Sequence, residues 1–385
     1  MNSKITLAAV AALAAAGMIL RPGKVFAWAG ETHTDITENA LGLIEKEKKT
    51  KLFNFYSKYS DMLIKGSTDP DREGDIDRAT GTHYYSCATF KGKKLPMSEG
   101  YYQNRLGDFA KSARTILEDN YSCALHLYKN DKPEQAVYYL GRAIHFLEDI
   151  SNPVHTANMK YEDKSNNPHK TFEKHTVTLA KKYVPDSYDK RLTKLYSGET
   201  LESPLNKLSE TANKYAASIS QLDPKAFDNA AADLVPLAAQ NVVALMMRFY
   251  EDCLKDNSNY IKSGKSYMLR NEGSGNIVTV TPKGLVLDRL DREKSQKIGL
   301  IISDGGSFAL KAENGLFVSG NLKALDTVLG DAVGAQFRFT CVGKNKYRIS
   351  AESTKYTKFL STNRSGALML TEFVPGDKNQ IWIVQ

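Results

Sequence analysis

The sequence predicts two domains of different class, an all-α domain followed by an all-β one, and three observations carry that prediction. Apolar residues recur at three- and four-residue steps through the first two thirds of the chain, the period of an amphipathic helix. Beyond about residue 265 the period shortens to that of strands. Between the two, residues 255–265 are polar, with Asn, Ser, Gly and Lys in place of an apolar stripe, and read as a linker. A chain of 385 residues is also long for a single domain.

At the start of the chain Lys4 supplies a positive charge, residues 5–20 form an almost unbroken apolar run, and Val25-Phe26-Ala27 places small residues at the two positions a signal peptidase reads. The run is short against the roughly 20 residues that span a bilayer, and no second stretch of that length is expected downstream. Residues 1–27 are therefore read as a signal peptide. Cleavage after Ala27 would leave 358 of the 385 residues as a secreted protein beginning at Trp28, and lower the formal charge from +8 to +5 by removing Lys4, Arg21 and Lys24. A modest basic excess favours anionic surfaces without specifying one. Cys87, Cys123, Cys253 and Cys341 are too few and too scattered for a disulfide framework, although export would permit a bridge. Cys87 with Cys123 is the pair to test, since both fall in the first domain.

The helical stripes are clearest at Ala136, Leu140, Ile144 and Leu147, and run through residues 106–127 and 230–250. Gly66-Ser67, Asp69-Pro70 and Asn167-Pro168 mark the loops. Residues 28–258 are assigned to this all-α domain. Residues 265–385 carry a repeat. Strand-like runs begin at Tyr267, Phe308 and Tyr347, separated by 41 and 39 residues, and runs led by Gln296, Gln336 and Gln380 close each unit at intervals of 40 and 44. Three such units resemble a β-trefoil of the ricin-lectin or fascin-like kind, and the last keeps a Gln-x-Trp at Gln380 and Trp382. The resemblance implies a carbohydrate- or surface-binding role for the tail, with a purely structural appendage as the alternative.

The chemistry lies in the helical part. His145 and Asp149 are four apart, so both side chains leave one helix face and can grip one ion. Such a pair alone is more often a surface hydrogen bond than a ligand set. His155 follows Pro153, which should interrupt the helix and turn a third ligand inward. His169 and Glu173 then repeat the four-residue spacing. Imidazole and carboxylate suit zinc, and the lack of paired cysteines argues against a structural thiolate site.

Residues 141–158, with His145, Asp149, Pro153, His155 and an Ala157-Asn158 pair, resemble the central motif of the zinc-dependent phospholipase C family, which includes the bacterial phosphatidylcholine-hydrolysing enzymes and the clostridial alpha-toxins. His169 with Glu173 is similar to its second helix motif, and residues 66–71 with His83 to its aspartate- and histidine-bearing loop. Trp28 and His33 match its mature N-terminus, and Glu31 matches an acidic residue three places behind the family's first tryptophan. The resemblance spans residues 28–182. It implies three zinc ions: one held by Asp71, His83, His145 and Asp149, a second by His155, His169 and Glu173, and a third by His33, Asp149 and the amine and carbonyl of Trp28. Asp149 would bridge two of them. It further implies hydrolysis of the glycerol-side phosphodiester of phospholipids at a membrane surface by metal-activated water, with Asp71 or Glu31 taking the proton. His126 and His175 are left over as packed or exposed histidines.

Two departures bear on substrate. Where choline-preferring members place an aromatic residue after the loop aspartate, Arg72 follows Asp71, and a cation repels quaternary ammonium. The step of five residues from Trp28 to His33 is closer to the fungal single-strand nucleases, the runner-up reading. The Pro-x-His-x-x-Asn ending, Glu173 in the final pair and the Gly66-Ser67-Thr68 loop favour the phospholipases and make nucleic acid the less favoured substrate. A third reading is a non-catalytic glycan-binding module. Against it, purely structural zinc sites are usually closed by four protein ligands, whereas the second site has three. A monomer is expected.

Overall fold

A computed structural model describes residues 30–385 apart from 79–81, 88, 91–92, 95–100, 104–108, 256–259, 282–283, 292–295, 319–321, 323–324, 327–335, 352–356 and 364–365. The first part is built from helices α1 (Gly30–Lys46), α2 (Thr50–Ser57), α3 (Ser60–Thr68), α4 (Ala113–Lys129), α5 (Pro133–Ile150), α6 (Pro153–Thr156), α7 (Pro168–Val177), α8 (Lys190–Tyr196), α9 (Glu202–Asn213), α10 (Ala216–Ile219) and α11 (Pro224–Leu254). The stripe read from the sequence at Ala136, Leu140, Ile144 and Leu147 is the buried face of α5, each residue fully enclosed. Helices α3, α4 and α11 pack around it.

One crossing sets the geometry of everything near α5. A Cβ added to Gly66 would stand 2.1 Å from the Tyr138 carbonyl oxygen, and one added to Gly141 would stand 2.2 Å from that of Leu63, with the two glycine Cα atoms themselves in the way. Only a pair of glycines lets α3 approach α5 so closely, which carries the end of α3 and the turn after it over the middle of α5.

Helix α11 corrects one expectation. By length and composition it could cross a membrane, yet 67% of its most apolar window is buried within the protein, where it forms the core against α1, α4, α5 and α8. The first domain is also not wholly helical. Two hairpins, β1 (Thr89–Phe90) with β2 (Lys93–Lys94) and β3 (Tyr101–Gln103) with β4 (Phe109–Lys111), lie between α3 and α4. Of the helical stripe expected from residue 106, residues 106–108 lie outside the described residues, Phe109–Lys111 is strand, and the helix starts at Ala113. The reason is local: Ser112 takes an extended backbone and forms a capping box, its N–H donating to Thr115 Oγ1 at 2.7 Å and its hydroxyl oxygen accepting from Thr115 N–H, so the helix starts there.

The second part comprises β5 (Lys265–Tyr267), β6 (Leu269–Asn271), β7 (Ile277–Thr281), β8 (Gly284–Asp288), β9 (Ile298–Ile302), β10 (Phe308–Lys311), β11 (Phe317–Val318), β12 (Leu325–Asp326), β13 (Gln336–Gly343), β14 (Lys346–Ala351), β15 (Lys358–Thr362), β16 (Leu368–Thr371) and β17 (Ile381–Val384). The pairing repeats three times. Strands β6 to β8, β10 to β12 and β14 to β16 form successive ladders, and the closing strands β9, β13 and β17 pair with β10, β14 and β6, so the last unit joins the first. This is the trefoil arrangement that the spacing of about 40 residues anticipates. Two of the three glutamines that lead the closing runs do equivalent work while buried: Gln296 donates to the Arg289 carbonyl oxygen at 2.7 Å, and Gln380 to that of Glu372 at 2.6 Å. Trp382 donates its indole N–H to the Leu360 carbonyl at 2.8 Å from a fully buried position.

The two parts share an interface on α4. Asp119 accepts a hydrogen bond from the Thr340 hydroxyl, and Ser122 Oγ accepts one from Cys341 N–H at 3.1 Å. Tyr101 of the β3–β4 hairpin stacks on Phe373 of the trefoil with centroids 3.6 Å apart. Cys123 is buried against Gly306, and Cys87 is exposed beside Asn206; all four cysteines are unbridged, so no Cys87–Cys123 disulfide is present. His126 faces Phe308 and Tyr347 at 5.2 and 6.0 Å, and neither ring nitrogen has a hydrogen-bond partner.

Two outcomes follow from this packing. Gly141→Ala should destabilise the protein by about 1–3 kcal/mol or more, the usual range for overpacking, because backbone rather than a side-chain tip must yield; thermal denaturation measures it. Burial lowers the His126 pKa to about 3 from an ordinary 6.5, so below pH 6.5 the unfolded chain binds a proton that the folded chain refuses. Stability should fall as pH drops from 6.5 toward 3. His126→Phe should shallow that decline in denaturant titrations across the same window.

Candidate metal centre

Each site residue is delivered by a local feature the sequence encodes. His145 and Asp149 project from one face of α5. Two Asn-Pro steps begin the next two helices of the site: Asn152 accepts from Val154 N–H at 3.1 Å ahead of α6, and Asn167 accepts from Lys170 N–H at 2.9 Å ahead of α7, each with proline in the first turn. These caps place His155 and the His169/Glu173 pair. Asp71 ends a 3-10 turn after α3, His83 follows in the succeeding loop, and His33 lies in the first turns of α1.

The structure brings eight of the proposed ligands together. His33, His145 and Asp149 form one group, Asp71, His83 and His145 a second, and His155, His169 and Glu173 a third, with the ligand atoms in each group within 4.8 Å of one another. Asp149 stands between them. Its Oδ2 is 2.9 Å from His83 Nδ1 and 3.4 Å from His145 Nε2, while its Oδ1 is 3.8 Å from both His33 Nε2 and His155 Nε2. One carboxylate thus presents its two oxygens to different histidine sets, as a bridging ligand must. Trp28 lies outside the described residues. Glu31 sits exposed in the first turn of α1 and joins none of the three groups. His126 and His175 stand apart, the first at the domain interface and the second bonded to Asp228 at 2.8 Å.

The chemistry of the donor set fits a cation. Carbonyl oxygens only accept, so the 2.8 Å bond from His145 Nδ1 to Ser67 and the 2.6 Å bond from His169 Nδ1 to Met159 place the proton on Nδ1 and leave Nε2 with its lone pair facing the cluster. Both atoms that face each other across the centre, His33 Nε2 and Asp149 Oδ1, are buried without a hydrogen-bond partner. Burial lowers the pKa of His33, with His83 and His155 adding to it, and lowers that of His145, with His33 and His83 adding. Burial, then the neighbouring Glu173, raises that of Asp149. Glu173 is held low despite burial, because His169 and His155 surround it. Neutral imidazoles around a carboxylate that resists ionisation are what a buried site looks like when its positive charge is to come from a metal.

Two supporting residues escaped the sequence reading. Glu148 Oε2 lies 2.5 Å from His33 Nδ1, and its Oε1 accepts from the Thr37 hydroxyl at 3.0 Å. Arg142, three residues before His145, holds Asp75 through both carboxylate oxygens at 2.6 and 2.9 Å and Asp77 at 2.5 Å. Burial alone would raise the Asp77 pKa; Arg142, with Arg338 and Lys111 adding to it, outweighs burial and keeps the group low. The Asp77 carbonyl in turn accepts from Thr82 Oγ1 at 2.5 Å, beside His83, so one guanidinium steadies the segment that supplies both Asp71 and His83. A charged residue one turn before a ligand on α5 was the available signal for Arg142.

A family model described as zinc dependent phospholipase C matches residues 32–230, which include every described site residue except the exposed Glu31. The chain belongs to the zinc-dependent phospholipase C family. Among curated relatives, a phospholipase C of Bacillus cereus is 32% identical over 100 residues, 26% of this chain and 34% of that protein. A phospholipase C of Paraclostridium bifermentans is 22% identical over 211 residues, 51% of this chain and 52% of the relative. The matches thus span between a third and about half of those relatives' lengths. The alpha-toxin of Clostridium perfringens from an avian strain is similar in fold over 94% of this chain and 98% of the toxin, with a TM-score of 0.50 at 17% identity. The designed threefold protein ThreeFoil overlaps 31% of the chain with a TM-score of 0.28.

We expect Asp149→Asn to lower bound zinc, measured by elemental analysis, and to abolish turnover, because removing one charge weakens every site the side chain faces. His175→Ala, whose side chain meets Asp228 and Phe227 and none of the clustered residues, should leave zinc unchanged. Equal zinc in both variants would refute the ligand assignment.

Proposed function

We propose that the chain is a secreted phospholipase C with three zinc ions, cleaving the glycerol-side phosphodiester of phospholipids to diacylglycerol and a phosphorylated head group. The observation that carries the reading is the placement of Asp149 between three groups of zinc-type ligands in a member of this family. The ion assignments are those given by the resemblance: Asp71, His83, His145 and Asp149 for one, His155, His169 and Glu173 for the second, His33 and Asp149 with the Trp28 amine and carbonyl for the third. When bound, zinc lowers the pKa of water toward 7 and polarises phosphoryl oxygens.

The chain's own residues supply the rest. Asp71 places its carboxylate oxygens within 3.9 Å of His33, His83 and His145, and both oxygens are buried, so the group faces the space enclosed by the ligand cluster. It is the preferred acceptor of the proton from the attacking water; Glu31, at the exposed start of α1, is the second candidate. Arg72 is next to Asp71, exposed and paired with Asp69 at 2.9 Å. A guanidinium in the position after Asp71 disfavours a quaternary ammonium, which weighs against a preference for choline head groups. The trefoil is proposed to hold the enzyme on a membrane or carbohydrate surface, and the protein to act as a monomer.

The test is turnover by zinc-loaded protein on mixed phospholipid vesicles and on single-stranded DNA. Release of phosphorylated head group, abolished by a chelator and restored by zinc, supports the reading; cleavage of DNA instead would establish the nuclease, and sugar binding without either would establish a binding module. Blocking the amine of Trp28 with a preceding methionine should depress activity and weaken one zinc site. Full activity and zinc content in that extended chain would remove Trp28 from the centre.

A further inference from the structure

His33 is the one described ligand of the centre that comes from α1, and its placement depends on a single tie. The ring is fully buried and stacks on His145 with centroids 4.0 Å apart, an arrangement that fixes its plane and leaves its rotation about that plane open. Glu148 closes that freedom. Its Oε2 meets His33 Nδ1 at 2.5 Å, while its Oε1 accepts the Thr37 hydroxyl at 3.0 Å from one turn further along α1. Positions 33 and 37 share a helix face, so α1 grips one carboxylate of α5 at two points. Both oxygens are engaged on α1, and Glu148 is absent from the three groups of converging ligand atoms, so it is placed behind the histidine rather than among the ligands.

We propose that Glu148 is a positioning residue of the zinc centre: it holds His33 with its proton on Nδ1, aims Nε2 at the space shared with Asp149 and Asp71, and sets the affinity of the ion bound there without touching it. The inference rests on the zinc reading of the site. Its physical basis is general. A carboxylate accepting from the far nitrogen of a ligating histidine fixes the tautomer and raises the basicity of the near one, and losing such a partner weakens metal binding by about 10- to 100-fold. Position 148 also explains the helix: Asp149 bridges from α5 while its neighbour reaches around to secure the ligand from another helix.

The test uses the full chain with Glu148→Gln, which keeps the shape and an accepting oxygen and removes the charge. Zinc stoichiometry at limiting metal and chelator competition should show one ion weakened about 10- to 100-fold with the others unchanged. Thermal denaturation separates positioning from mere structure. The metal-free variant should melt close to the metal-free parent, because glutamine keeps the shape of the side chain and its reach to α1, whereas the zinc-loaded variant should melt below the zinc-loaded parent. Equal affinity for every ion, or a lower melting temperature in both states, overturns the proposal. Should Glu148→Gln fail to fold, Thr37→Val, which removes the hydroxyl that bonds Glu148 Oε1, should weaken the same ion several-fold, and unchanged zinc binding in that variant overturns it as well. A parent chain that binds no zinc would instead refute the reading of the centre on which the proposal stands.

Discussion

Asp149 is a fully buried carboxylate ringed by imidazoles that burial keeps neutral, and the rest of the helical domain is arranged around the charge this combination lacks. Histidines in water would share a proton with such a group. Here the interior disfavours both the imidazolium and the carboxylate, so neither partner can satisfy the other by ionising. A divalent cation satisfies both. Helices α1, α5, α6 and α7 and the stretch after α3 each bring at least one donor to the three groups.

Helix α5 organises the convergence because its period repeats near every fourth residue. Gly141, His145 and Asp149 succeed one another along one face: the glycine admits α3, the histidine bonds the Ser67 carbonyl at the end of α3, and the aspartate turns its two oxygens to different histidines. Arg142 and Glu148 flank that face on either side. One clamps the loop that carries Asp71 and His83, and the other secures His33. A single helix thus steadies candidate ligands from two other segments, α1 and the stretch after α3, which is the economy that rigid secondary structure offers a metal site.

The trefoil is joined to this domain through packed surfaces as well as the chain between them. The β3–β4 hairpin lays Tyr101 against Phe373, α4 meets β13 through Asp119 and Ser122, and His126 is enclosed among trefoil aromatics. A side chain as polar as histidine, buried with both nitrogens unpartnered, records a cost accepted for close fit at that seam.

By itself the sequence determined what depends on period and neighbours: the helical stripe of α5, the pairs His145/Asp149 and His169/Glu173, the turn at Pro153, and three repeats of about 40 residues. These are legible because helix and strand geometry convert spacing directly into direction. Only the tertiary structure decided which groups stand behind the ligands. Glu148 meets His33 across 115 residues and Ser67 meets His145 across 78, and backbone oxygens such as those of Ser67 and Met159 carry no mark in the sequence at all. The start of α4 was misread for a related reason: apolar residues before Ser112 serve a hairpin that packs on the trefoil, and no helical period distinguishes a residue buried by its own helix from one buried by another domain.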